Sequence, residues 1–280
     1  MLTILGFSYI FRAVFAGFHC DDEIYNVRIK TRGRVYKTGA HMHQTITLQS
    51  LAKMIDHSLL HPTMTDAEIL RGCEVARKYD VAAVCIKPYA VMMCKEHLNG
   101  SGVGICSVTT FPHGNSTTSM KVRESEDAIE AGATEIDMVV NIGKVIGGDW
   151  TYVSEEVRHV NEAVTSKNAV LKVIFENDFL SDRHIAKLCE ICSEHGVAFI
   201  KTSTGYGFVK QPNGMYSYKG AVDHQLTLLR EKCSGSVQVK AAGGVRTLDD
   251  VLRVRSLGVT RIGATATIEI LEEAKARGIS

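Results

Sequence analysis

The amino-acid sequence predicts an α/β fold with the architecture of a closed (β/α)8 TIM barrel. From residue 50 onward, short apolar segments alternate eight times with longer segments of helical periodicity, over about 230 residues. Apolar strands with helices between them are typical of a parallel sheet that is covered on both faces. No glycine-rich dinucleotide-binding turn follows the first predicted strand, which argues against an open doubly wound sheet.

The predicted elements have local signals at their ends. Thr65 with Glu68 three residues later forms a capping-box pattern, Pro88 begins the next helix, and Gly132 ends the one after it. The predicted strands are 51–57, 81–87, 103–111, 135–141, 169–176, 197–203, 237–244 and 260–265. The predicted helices are 65–79, 88–98, 117–133, 149–165, 181–196, one that begins near 220, 247–258 and 268–278.

The N-terminal residues have a different composition from the rest. Residues 2–11 carry no charge but are too few to span a bilayer, and this segment lacks the basic n-region and the A-x-A cleavage site of a signal peptide. We therefore expect residues 1–41 to be an extension outside the fold, and residues 42–280 to form the barrel domain.

Composition limits the possible partners. The 280 residues carry a net charge of +1, which gives no reason to expect binding to nucleic acid or to an acidic membrane surface. The eight cysteines are scattered, mostly in apolar segments, as is typical of reduced thiols in a cytoplasmic protein.

Two lysines are the strongest chemical signal. Lys201 and Lys240 each end a short apolar run, VAFIK and VQVK, on consecutive predicted strands. Burying an ammonium group costs several kcal/mol (roughly) unless the group is paired or neutralised. Two such lysines therefore indicate an amine that attacks a carbonyl to form a Schiff base.

Mutual repulsion would make such an amine reactive. Two ammonium groups about 6 Å apart, at an effective dielectric constant of about 20, repel by roughly 2.8 kcal/mol, enough to lower the pKa of a lysine by about two. Asp137, in the fourth predicted strand, would supply a base. Spacing alone leaves Lys172, in the fifth, as an alternative nucleophile.

Glycine-containing turns follow the last three predicted strands, at the end where such barrels commonly hold phosphate. They are also common for purely conformational reasons, but together they favour a small phosphorylated carbonyl substrate. The candidate phosphate-binding residues are Gly205, Gly243, Gly244, Arg246, Gly263 and Thr265.

Metal-dependent carbonyl chemistry is the main competing interpretation. His57, His61 and His113 lie near predicted strand ends, but none has the H-x-H or H-E-x-x-H spacing of a metal site, and Cys85 is isolated. We expect neither a metal ion nor another cofactor.

Six segments in this order resemble the deoxyribose-phosphate aldolase family over residues 50–275. They are IDHSLLHP (55–62), VCIKP (84–88), EIDMVVN (135–141), LKVIFE (171–176), FIKTSTGYG (199–207) and VKAAGGVRT (239–247). The resemblance implies a class I aldolase that reversibly joins acetaldehyde to glyceraldehyde 3-phosphate. It also implies that Lys201 forms the Schiff base, that Lys240 perturbs Lys201 and takes part in proton transfer, and that Asp137 donates and accepts protons through water.

Two departures from the family pattern affect the phosphate end. The segment 206–222 is longer than the family's short glycine-rich turn, and the turn after the eighth strand is GATAT where the family is rich in serine. These departures leave open a Schiff-base aldolase with a different acceptor aldehyde. A non-catalytic sugar-phosphate-binding barrel is the alternative from another class of function. The expected partners are a phosphorylated sugar and acetaldehyde, with homo-oligomerisation possible.

Overall fold

The computed structural model describes residues 26–31, 34–39 and 46–280. Within residues 46–280, eight parallel strands close into a barrel in the order β11-β12-β3-β4-β5-β6-β7-β8, with helices between them, which confirms the predicted (β/α)8 fold. The strands are β1 Asn26–Thr31, β2 Arg34–Gly39, β3 Ile55–Ser58, β4 Ala83–Ile86, β5 Gly104–Thr109, β6 Glu135–Val139, β7 Val170–Ile174, β8 Phe199–Lys201, β9 Val209–Lys210, β10 Tyr216–Ser217, β11 Gln238–Ala242 and β12 Arg261–Ala264.

The helices cover the outside of the barrel strands. Thr65 caps the helix Asp66–Tyr79 in a capping box with Glu68, and Gly132 ends the helix Thr118–Ala131, both as predicted. The helices are α1 Leu48–Ala52, α2 Asp66–Tyr79, α3 Val91–His97, α4 Thr118–Ala131, α5 Ile142–Ile146, α6 Trp150–Ser166, α7 Asp182–Glu194, α8 Asp223–Lys232, α9 Leu248–Ser256 and α10 Thr267–Ala276, with single 3-10 turns at Pro88–Ala90 and Asn177–Phe179.

The first predicted strand, 51–57, is wrong at its beginning, because residues 51 and 52 end a helix. Thr47 and Ser50 cap each other's backbone N–H groups and begin α1, so the strand starts only at Ile55. An apolar run of four or five residues does not distinguish a buried strand from a buried helical turn by its periodicity.

The barrel interior is partly polar. A continuous apolar core lies between strands and helices, whereas a separate inner cluster contains only Leu60, Ala83, Cys85, Cys106 and Val108. Buried charged side chains occupy other positions on the barrel strands; they are Asp56, Asp137, Lys172, Lys201 and Lys240. The barrel strands therefore carry charged groups as well as apolar ones.

Residues 1–41 fall largely outside the described residues, and of this segment the structure describes only β1 and β2, which pair antiparallel. The predicted extension thus stays a prediction. In the long 206–222 segment, β9 and β10 pair antiparallel and form a hairpin around residues 212–214. Among the described residues, no helix is long and apolar enough to cross a membrane.

Candidate active site

A cleft of about 430 Å³ opens at the carboxyl ends of the barrel strands, where enzymes of this architecture bind their substrates. Lys201 and Lys240 line it, together with all six candidate phosphate-binding residues. The remaining lining residues are Ser58, Leu60, His61, Pro62, Cys85, Thr204, Tyr206, Phe208, Tyr218, Ala242, Val245 and Ala264.

The two predicted lysines are direct neighbours across β8 and β11, and both reach the same carboxylate. Lys201 and Lys240 are in register. The Nζ atom of each donates a hydrogen bond of 2.8 Å to Oδ2 of Asp137. The two nitrogens are therefore less than about 6 Å apart, the separation at which repulsion between ammonium groups is substantial.

Lys172, the alternative nucleophile, lies deeper. Its Nζ donates to Oδ1 of Asp137 at 3.0 Å, lies 3.4 Å from Oδ2 of Asp56, and also contacts Glu135. Its side chain is fully buried and does not line the cleft, whereas Lys201 does. Lys172 is therefore placed to balance charge, and of the two only Lys201 can meet a substrate.

Arg261 and Asp56 complete the network. Arg261 donates to Oδ1 of Asp56 at 2.6 Å and to Glu135 at 3.2 Å, and Lys240 contacts the other oxygen of Asp56. Within residues 46–280 the network has one more cation than it has carboxylates. The cations are Lys172, Lys201, Lys240 and Arg261, and the carboxylates are Asp56, Glu135 and Asp137.

Electrostatics keep most of these groups charged. Burial alone would raise the pKa of the Asp137 carboxyl, but Lys172, Lys201 and Lys240 outweigh it and hold that pKa well below its usual range. Burial likewise opposes the Lys240 ammonium, yet Asp137 and Asp56 raise its pKa above the ordinary value. Lys201 and Lys240 are adjacent cations, as the sequence predicts, but the Asp137 carboxylate lies between them and accepts a hydrogen bond from each.

Aromatic side chains form one wall near Lys201. The Lys201 Nζ lies 5.9 Å from the ring centre of Phe111, which packs edge-on against Tyr206 at 5.6 Å. Glu176 accepts hydrogen bonds from the backbone N–H and the hydroxyl of Thr204, and so holds the turn after β8. This turn positions Tyr206 over the cleft.

The glycine turns after β11 and β12 carry backbone N–H groups that are free to bind a ligand in the cleft. Gly243 and Gly244 have φ of 82° and 85°, a conformation that favours glycine. A Cβ on Gly243 would lie 3.1 Å from Gly220 Cα. Among the hydrogen bonds of residues 46–280, none uses the backbone N–H of Gly244 or Thr265 as donor. Such unpaired donors are suited to an anion.

The three histidines considered for metal binding do not come together in the described part of the chain. The side-chain groups there with metal-like spacing are Cys85, Cys106 and Asp137, and Asp56, Cys106 and Glu135. Lysine and arginine side chains already bind the carboxylates of both groups, so a metal ion would meet positive charge.

Glu135 and Arg261 belong to the site but are not among the residues that the sequence predicts for it. Period-two alternation contained a usable signal, because Glu135 and Asp137 must lie on the same face of a strand, as must Arg261 and Gly263. Asp56, within the segment IDHSLLHP, is likewise a site residue that is not among the predicted ones. Tyr218 was not singled out within the long segment.

Comparison with known proteins places the chain in a family. The model of the DeoC/LacD family of aldolases matches residues 50–267. A deoxyribose-phosphate aldolase of Rhodopirellula baltica is 47% identical over 225 residues, which cover 80% of this chain and 89% of the relative. One of Treponema denticola is 42% identical over 221 residues, covering 79% and 98%.

A solved structure agrees with these relatives. The tetrameric deoxyribose phosphate aldolase of Aeropyrum pernix superposes with a TM-score of 0.74 at 27% identity, covering 82% of this chain and 93% of that one. The family match extends over the barrel strands that carry the lysine network and the glycine turns. The chain belongs to the DeoC/LacD family of aldolases.

Proposed function

We propose that the chain is a class I aldolase that reversibly cleaves 2-deoxy-D-ribose 5-phosphate to D-glyceraldehyde 3-phosphate and acetaldehyde, through a Schiff base on Lys201. The observation that carries the proposal is the shared contact of Lys201 and Lys240 with Oδ2 of Asp137, on the wall of a cleft that Lys201 lines. A non-catalytic sugar-phosphate-binding barrel would have no use for two buried lysines on one carboxylate.

The excess cation identifies the reactive amine. Loss of one proton makes the buried network neutral, which a low-dielectric interior favours. Lys201 bonds to one carboxylate, Asp137, which it shares with Lys172 and Lys240, whereas each of those two contacts at least two carboxylates. Lys201 therefore loses the least electrostatic stabilisation when it becomes the neutral nucleophile.

The reaction follows from this amine. In cleavage, Lys201 attacks the C1 aldehyde, and loss of water gives an iminium ion. A base removes the C3 hydroxyl proton, the C2–C3 bond breaks, and its electron pair moves towards the iminium ion to give an enamine as glyceraldehyde 3-phosphate leaves. Protonation of the enamine at C2 and hydrolysis release acetaldehyde and restore the amine.

Asp137 and Lys240 would handle the protons. Asp137 is an ionised carboxylate that contacts both lysines, and Lys240 supplies an ammonium group on the cleft wall. We assign Asp137 as proton acceptor and donor acting through water, and Lys240 as the second lysine that favours the neutral form of Lys201 and takes part in proton transfer. No metal or other cofactor is required for these steps.

The substrate phosphate would bind at the glycine turns. The free N–H groups of Gly244 and Thr265 and the guanidinium of Arg246 all lie along the cleft. With Gly205, Gly243 and Gly263 they form a polar end suited to a phosphate dianion. The aldehyde carbon would then point towards Lys201.

The remaining features of the proposal concern assembly and location. The described cysteines are free and buried, consistent with a reducing compartment, and we propose that the protein is cytoplasmic. Because the Aeropyrum pernix relative is tetrameric, we also propose that this chain forms a homo-oligomer. We propose no nucleic-acid or membrane partner.

Borohydride trapping tests the function. Incubation with acetaldehyde and sodium borohydride should fix a two-carbon adduct, and peptide mass spectrometry should locate the adduct on Lys201. The same treatment of Lys201→Met should leave Lys172 and Lys240 unlabelled. An adduct on Lys172, or none in the wild-type protein, would contradict the assignment.

A further inference from the structure

The long 206–222 segment is a structured part of the cleft. Its β9–β10 hairpin closes with hydrogen bonds from Gln211 N–H to the Met215 carbonyl and from Gly214 N–H to the Gln211 carbonyl. After the hairpin, the carboxylate of Asp178 accepts the backbone N–H groups of Lys219, at 2.6 Å, and of Gly220, at 2.9 Å. These contacts fix the position of the residues that precede Lys219.

Tyr218 lies directly between this hairpin and the glycine turn after β11. Its ring packs edge-on against Phe208 at 5.4 Å, and its Cε2 atom would lie 3.3 Å from a Cβ on Gly243. Its hydroxyl accepts a hydrogen bond of 3.3 Å from Nη2 of Arg246. Tyr218 therefore contacts both components of the proposed phosphate end, the turn and the guanidinium.

Arg246 needs such a contact to be placed accurately. Its side chain is exposed and long, and holding an arginine side chain in one geometry carries an entropy cost of up to about 2 kcal/mol. Within residues 46–280 it forms no salt bridge with a carboxylate, although its backbone N–H donates to Asp250. Its positive charge is thus available to an anion in the cleft.

We propose that Tyr218 is a positioning residue that determines specificity for phosphorylated substrates. Its hydroxyl holds the Arg246 guanidinium towards the phosphate, and its ring closes the cleft over the glycine turn. The inference rests on the proposed function and extends it, because the hairpin, which departs from the family pattern, then contributes its own part to phosphate recognition.

Tyr218→Phe tests the hydroxyl and keeps the ring. Loss of a hydrogen bond to a charged group should raise KM for 2-deoxy-D-ribose 5-phosphate by about 5- to 10-fold, with kcat changed by less than about twofold. The kcat/KM for unphosphorylated 2-deoxy-D-ribose should change far less. Tyr216→Phe, which removes the hydroxyl of an exposed tyrosine in β10, is the matched control and should behave as wild type.

A double-mutant cycle tests whether Tyr218 acts through Arg246. In an Arg246→Met background, Tyr218→Phe should raise KM for the phosphorylated substrate by less than about twofold, because the guanidinium is already absent. Fully additive effects, or equal KM increases for phosphorylated and unphosphorylated substrates, would overturn the proposal.

Acetaldehyde trapping distinguishes a failure of the proposed role of Tyr218 from a failure of the proposed aldolase function. Acetaldehyde carries no phosphate, so labelling of Lys201 does not depend on Tyr218. Normal labelling together with an unchanged KM in Tyr218→Phe would overturn the role of Tyr218 alone. Absence of labelling in the wild-type protein would overturn the proposed aldolase mechanism as well.

Discussion

Two groups of buried lysines lie in this barrel, and they differ in charge balance and access. Outside the strands, Lys121 of α4 pairs with Glu156 of α6 at 2.8 Å, and both side chains are fully buried. Inside the barrel, Lys201 and Lys240 share the carboxylate of Asp137, and a cleft reaches both lysines. Burial alone therefore does not identify a reactive amine, whereas excess positive charge beside a cleft does.

The outer pair supports the strand that carries Asp137. Lys121 donates to the carbonyl of Val139 at 2.7 Å, and Glu156 accepts the backbone N–H of Asn141 at 2.9 Å. Burial lowers the pKa of Lys121 and raises that of Glu156, each only partly offset by the other's charge. We interpret this pair as structural, because it stabilises the backbone at the end of β6.

The largest expected effect is on turnover in Lys201→Met. Removing the nucleophile should lower kcat by at least roughly 10⁴-fold. Asp137 would keep its contacts with Lys172 and Lys240, so the free energy of unfolding should change by less than about 2 kcal/mol. Steady-state kinetics and denaturant titration check both parts, and retained turnover would exclude Lys201 as the nucleophile.

Lys121→Met should show the opposite pattern. It leaves the Glu156 carboxylate buried without its partner, which should lower the free energy of unfolding by about 3–5 kcal/mol. At a temperature where the variant is folded, it should still form the acetaldehyde adduct on Lys201. Lys121→Met/Glu156→Gln removes the uncompensated charge and should recover part of the loss; a double variant less stable than the single one would contradict the pairing.

A smaller effect on the free energy of unfolding is expected from His57, the neighbour of Asp56 in β3. Asp56 contacts the lysine network, whereas the His57 ring forms a hydrogen bond of 2.8 Å with the hydroxyl of Thr267 in α10. Burial lowers the pKa of His57 from 6.5 to about 4, with a weaker opposing effect from Glu269. Between these values the unfolded chain binds a proton that the folded chain does not. The stability contributed by neutral His57 is thus complete above pH 6.5 and is lost as the pH falls towards 4.

His57→Gln should therefore lose less stability than wild type on acidification from pH 6.5 to 4, by up to about 3 kcal/mol. Denaturant titrations at several pH values measure the difference. His113→Gln, which removes an exposed imidazole, is the matched control and should follow the wild-type curve. Parallel curves for wild type and His57→Gln would show that His57 is not buried in its neutral form.

Much of the fold was predictable from the chain because periodicity and caps are local. The eight strand–helix units and the placement of Lys201 and Lys240 on consecutive barrel strands follow from runs of a few residues. Closure of the barrel is not local, and it alone brings Arg261 of β12 to Glu135 of β6. The charge balance of the network could not be counted before those contacts were known.

Lys121 shows a second limit on what the sequence predicts, namely which lysines are buried. Its helix is amphipathic, so a lysine there resembles a solvated residue, and only the packing of α4 against α6 and the end of β6 buries it. Similarly, the positions of Lys201 and Lys240 on consecutive strands predict that they repel each other but not that they share a carboxylate. The sharing of Asp137 became visible only when three strands were brought around one axis.

The pH dependence of imine formation in wild type and Lys240→Met tests the central claim most directly, because that claim is an excess cation that favours a neutral Lys201. Rapid borohydride quenching with acetaldehyde gives the rate of adduct formation at each pH. Removing the Lys240 charge should strengthen the hold of Asp137 on the Lys201 ammonium and move the midpoint of the profile to higher pH. An unchanged midpoint, or a shift to lower pH, would contradict the account.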